Sequence, residues 1–151
     1  MSGERPAACS SVSAWSKAIC AGLGKPFSDT QVAELRSHLK AEQAAVARTD
    51  VPGRTRLLAD FHVVLARMMG NQVLAQLLGD LLSRSSLISL MYQSSHSAEA
   101  SLAEHVAIVD ALEKRDARAA VRLTEDHLDH VERNLRFDPR SPDLAQVLNF
   151  E

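Results

Sequence analysis

Between Ser28 and Phe137 the chain is a succession of apolar stripes at helical spacing, separated by residues that stop one helix and cap the next. Ser28 and Gln31 fit a capping box, in which the serine hydroxyl and the glutamine side chain satisfy free backbone N–H groups at a helix start. Val32, Leu35, Leu39 and Val46 then predict a helix to about Arg48, broken by Asp50-Val51-Pro52-Gly53. A second helix is expected from Arg54 to Met69, with Leu58, His62, Leu65 and Met69 along one face. Gly70 suits a left-handed stop and Asn71 the next N-cap. The third helix should run from Asn71 to about Ser94. Leu74, Leu77, Leu78, Leu81, Leu82 and Ile88 make it apolar on more than one face, which predicts a central place in a bundle. Ser94 to Ser97 reads as a turn and cap, with His96 in the turn. A fourth helix then covers Ala98–Arg115, carrying Leu102, His105, Val109 and Leu112. Asp116 caps a fifth, Ala117–Phe137, with Ala120, Leu123, His127 and Val131 on one face.

The composition agrees with this pattern. Ala and Leu, both strong helix formers, supply 42 of the 151 residues, whereas aromatics are 4%. The chain is long enough for one domain with a real core. We read 1–27 as an irregular N-terminal segment with a short helix around Ser13–Leu23, 28–137 as a helical domain, and 138–151 as a tail with a short helix from Pro142. The fold expected is all-α, an antiparallel bundle of about six helices. A net charge of -2 argues against a basic nucleic-acid surface. No stretch approaches the roughly 18 apolar residues of a membrane span. Cys9 and Cys20 are too close to one end to staple the domain, and the N-terminus has no continuous apolar signal region, so a reducing, cytoplasmic setting is expected.

Six histidines are present, and three stand out. His62, His105 and His127 each sit on the apolar stripe of a different helix. A buried imidazole needs both nitrogens satisfied. Singly, each reads as a core histidine bonded to a backbone carbonyl or hydroxyl; together, converging, they would share a divalent cation. His38, between Glu34 and Glu42, reads as the edge of a solvated face. His130 reads as a surface edge or a support to the triad. Paired Glu-x-x-His motifs, His-Glu-x-x-His, Cys-x-x-Cys, Gly-x-Ser-x-Gly and the P-loop are all missing from the sequence.

Phe61-His62, then Gly70-Asn71 and Leu74, then Glu104-His105 with Ala111, Asp116 and Ala119-Ala120, and finally His127-Leu128, together resemble the C-terminal ligand-binding (FCD) domain of FadR-type GntR-family transcription regulators. The resemblance runs from Thr30 to Arg136. It implies a helical, dimer-forming module that binds a small organic acid in its interior, often beside a divalent metal, zinc or nickel-like, held by three histidines and an aspartate. His62, His105 and His127 match the histidine positions. The aspartate position, four residues before the first histidine, is Leu58 here, and Asp60 lies about 200° round the helix from His62. Regulators of this family also carry a winged helix ahead of the bundle; without one, no sequence-specific DNA binding is expected of this polypeptide alone.

Arg84 shares a stripe with Leu77, Leu81, Ile88 and Met91. Turned inward it would meet a ligand carboxylate; turned to the rim it would snorkel. Ser85, Ser89 and Tyr92 trace the adjoining face and could orient polar ligand groups or cap backbone carbonyls. The expectation is therefore an effector-sensing, homodimeric regulator domain and not an enzyme. The alternatives are a metal-dependent hydrolase, which lacks an evident general base, and a ligand-free helical interaction module.

Overall fold

The computed structural model describes residues 22–48, 50–84 and 95–137, which form five α-helices and no strand among the described residues. These are α1 (Asp29–Ala47), α2 (Val51–Met68), α3 (Gln72–Arg84), α4 (Ser95–Glu113) and α5 (Ala117–Phe137). The expected short helices at Ser13–Leu23 and Pro142–Leu148 fall outside the described residues or, for the first, almost wholly so, as do Cys9 and Cys20. No helix among the described residues is long and apolar enough to cross a membrane.

Local chemistry sets the helix ends. At α1 the capping box forms as expected: Ser28 Oγ accepts the Gln31 N–H at 3.2 Å, and Gln31 Oε1 accepts the Ser28 N–H at 2.9 Å. Helix α2 begins at Val51, three residues before the expected Arg54. Asp50 accepts the Gly53 N–H at 3.1 Å, and Pro52 sits in the first turn, where a missing N–H costs nothing. The Asp50–Gly53 stretch thus starts a helix rather than only ending one. Between α2 and α3, Gly70 adopts φ +77°, and Asn71 Oδ1 accepts the Leu74 N–H at 2.9 Å. Helix α4 begins at Ser95, so Ser95–Ser97 form its first turn instead of the expected loop. Arg115 at φ 57° closes α4, and Asp116 accepts the Ala119 N–H at 3.0 Å to open α5, whose bounds agree with the sequence pattern.

Helix α1 packs on α2 and α4, α4 on α5, and α2 also touches α4. The core between them is built from Leu35 and Leu39 of α1, Phe61 and Leu65 of α2, Ile108, Val109 and Leu112 of α4, and Ala120 and Val121 of α5. Leu23 and Phe27 complete it from the segment before α1. Gly22 allows this: a Cβ there would lie 2.6–2.8 Å from the Met69 side chain, so only glycine lets the segment press against the end of α2. Part of the stretch read as irregular is therefore core.

Helix α3 departs from the expectation of a central place. Its principal neighbour is α2; Val73 is 70% exposed and Leu77 54%, while Ala75 is buried. Ala75, with the half-buried Leu74 and Leu78, faces its neighbours, and Leu77 turns outward, so among the described residues α3 is not enclosed on all sides.

Candidate metal centre

Three helices each deliver one histidine to a common point. His62 comes from α2, His105 from α4 and His127 from α5, and one nitrogen of each lies within 4.8 Å of the others. His105 and His127 are buried and His62 is partly so. His105 Nε2 stands 3.2 Å from His127 Nε2, which in turn is 3.3 Å from His62 Nε2. The rings are held by packing. Phe61 stacks on His105 with centroids 3.9 Å apart and 13° between planes, and His62 stacks on His127 at 5.0 Å and 12°.

The outward nitrogens carry the electrostatics. His105 Nδ1 donates to Glu42, at 3.0 Å from Oε2 and 3.2 Å from Oε1. His127 Nδ1 donates to Glu104 Oε2 at 2.5 Å, and the other Glu104 oxygen accepts from the exposed His130. Burial, reinforced by the neighbouring His127, holds His105 well below the ordinary histidine range. Burial also lowers His127, although Glu104 pulls it back up, and burial with the two other imidazoles holds His62 well below its ordinary value. Burial favours a protonated Glu104, but the hydrogen bonds from His127 and His130 prevail and its carboxyl titrates below the ordinary range.

These tautomers fix what faces inward. A neutral imidazole with its proton on Nδ1 presents a lone pair at Nε2. With Glu42 and Glu104 both ionised, His105 and His127 aim two lone pairs at each other across 3.2 Å, although burial raises Glu42 above the ordinary carboxylate range and His38 only partly offsets that. A divalent cation resolves that arrangement, and the residues fit one: two nitrogens at about 2.05 Å from a tetrahedral zinc are about 3.3 Å apart, against 3.2 and 3.3 Å here.

Two carboxylates around the triad differ in how far the sequence revealed them. Glu104 is adjacent to His105, and His130 lies at the surface edge, where it bonds Glu104. Glu42 leaves only a faint trace in the sequence: the stripe Val32, Leu35, Leu39, Val46 has a gap at its seven-residue step, and Glu42 fills it on the buried face. His38 corrects the expectation of a solvated edge. It is half-buried, with Nε2 2.9 Å from the Leu57 carbonyl and 3.2 Å from Glu42 Oε1, because α1 turns this face toward α2.

The chain matches the model of the FCD domain over residues 20–130. It belongs to the FCD domain family. Comparison with curated proteins and with solved structures returns no match. FCD domains belong to transcription regulators, not enzymes, and bind small-molecule effectors. In this FCD domain Leu58, at the position where the resemblance places an aspartate, is fully buried with Ala98, Val46 and Leu102, one helical turn before His62. Ser85, Ser89 and Tyr92, and the side chain of Arg84, lie outside the described residues.

Proposed function

We propose that this FCD domain is the effector-sensing and dimerisation part of a GntR/FadR-type transcription regulator, acting as a cytoplasmic homodimer. His62, His105 and His127 hold a divalent metal, and a small organic acid binds beside it. The observation that carries the reading is the convergence of one nitrogen each from His62, His105 and His127 to within 4.8 Å of one another, an arrangement that a shared cation satisfies. The metal supplies a positive charge and coordination positions that suit a carboxylate. With Leu58 at the aspartate position, at least one more position is left to water or to the effector.

This chain's residues set the rest. Glu42 and Glu104 keep the Nδ1 protons of His105 and His127 in place, and Phe61 fixes the His105 ring plane. Arg84, Ser85, Ser89 and Tyr92 are proposed to orient the acid, with the guanidinium meeting its carboxylate. Effector binding would shift helix positions in a two-state manner.

Elemental analysis by plasma mass spectrometry tests the metal, comparing the wild type with a His62/His105/His127 triple-alanine variant. About one equivalent of divalent metal in the wild type and none in the variant is expected. Thermal unfolding with a panel of small organic acids then tests the effector, because a ligand specific to the native state must stabilise it. Melting temperatures unmoved by both metal and acids would instead favour the ligand-free interaction module.

A further inference from the structure

Glu42 is a fully buried carboxylate, 0% exposed, on α1, a helix that contributes no histidine to the triad. Both its oxygens lie within hydrogen-bonding distance of His105 Nδ1, and Oε1 is also 3.2 Å from His38 Nε2. Phe61, stacked on His105, fixes the plane of that ring but not which nitrogen faces the triad. Glu42 decides that, because an acceptor on the Nδ1 side turns Nε2 toward His127.

The surroundings of Leu58 sharpen the point. Leu58 packs with Val46, Ala98 and Leu102 in hydrocarbon. Val46 is one turn after Glu42 on α1, Leu102 nearly one turn before His105 on α4, and Leu58 one turn before His62 on α2. The position where the resemblance places an anionic ligand is thus apolar, and the buried carboxylate that the site does have, Glu42, meets His105 at Nδ1. Burying a carboxylate is costly unless cationic charge or hydrogen bonds meet it.

We infer that Glu42 is the positioning carboxylate of the metal centre: it orients His105 through Nδ1–H and supplies, from behind the ring, negative charge that Leu58 removes from the coordination sphere. The inference rests on the proposed metal site. Carboxylates that bond the far nitrogen of a ligating histidine raise its basicity, and losing one weakens metal binding about 10- to 100-fold.

The test uses the full chain, zinc ions and a competing chromophoric chelator, with wild type, Glu42→Gln and Glu42→Asp. The expected order of affinity is wild type, then Asp, then Gln, with Gln weaker than wild type by about 10- to 100-fold. Thermal unfolding in the presence of a strong chelator reads each variant's metal-free stability. A lower metal-free melting temperature for Glu42→Gln with zinc affinity within about two-fold of wild type would show a packing role only and overturn the inference. Equal losses for Gln and Asp would also overturn it, because the charge would then not matter. Should Glu42→Gln fail to fold, Glu42→Asp alone decides: unchanged affinity and an unchanged His105 tautomer by nitrogen NMR refute the positioning role. A wild type that takes up no zinc removes the underlying reading, and the inference with it, before any variant is compared.

Discussion

Leu58 and Glu42 together define what is particular to this site at the scale of single residues. Leu58→Asp would put a carboxyl into the cluster of Val46, Ala98 and Leu102. Without metal, the lost apolar packing and the buried polar group should destabilise the domain by about 3 kcal/mol or more. With zinc present the new carboxylate gains a cation, so the variant should show a larger zinc-induced rise in melting temperature than the wild type. Scanning calorimetry with and without zinc reads both effects; a rise no larger than that of the wild type would mean that the residue 58 side chain does not reach the site. Glu104→Gln should weaken zinc binding less than Glu42→Gln does, because the Glu104 side chain is 26% exposed and water can take over part of its role. The three histidines were legible because each interrupts a helical apolar stripe, a setting that demands a partner. Glu42 was not, because a single Glu reads as solvated until other helices are known to cover it, and His105, the residue of α4 that it meets, lies 63 residues further along the chain.

Helix boundaries were legible to the extent that caps are local. Ser28, Asn71 and Asp116 bond backbone groups three residues away, so their spacing alone identified them. The place of α3 was not legible, since periodicity gives the apolar face of a helix but not what covers it. Two substitutions test these readings. Gly70 sits at φ +77° with nothing within 4 Å of a Cβ built on it, so Gly70→Ala should cost about 1 kcal/mol from backbone conformation alone. Urea unfolding should show that loss without a change in the denaturant slope. Leu77→Lys on exposed α3 should change stability by no more than about 0.5 kcal/mol, whereas a leucine of the central core would cost several times as much. A loss above about 2 kcal/mol would mean that α3 is covered on that face.

For the molecule as a whole, the buried imidazoles couple stability to pH and to metal. His62, His105 and His127 are held below the ordinary histidine value by burial first, so the folded chain keeps them neutral where the unfolded chain protonates. Below a pH of about 6.5 the unfolded state then binds more protons, and stability falls as pH falls, by up to about 1.4 kcal/mol per pH unit for each ring. His38 acts in the opposite sense. Its hydrogen bond to Glu42 raises it, so its contribution is present at low pH and lost as pH rises through its raised value. That window lies above about 6.5, so below it the three buried rings act unopposed by His38 and the loss on acidification reaches up to roughly 4 kcal/mol per pH unit. Zinc should steepen this dependence. At pH 7.5 and a free concentration about 100 times its dissociation constant, it should add about 2.7 kcal/mol, or roughly 5–10 °C in melting temperature for a chain of this size. Protons and metal compete for the same Nε2 lone pairs, so the gain should shrink steadily between pH 7 and 5.5. The triple-alanine variant separates the two effects, since it should lose the zinc gain at every pH and flatten the metal-free slope as well. If it kept the steep slope while losing the zinc gain, the protons that destabilise the fold would bind elsewhere, and the triad would be a metal site without being the acid-sensitive part of the domain.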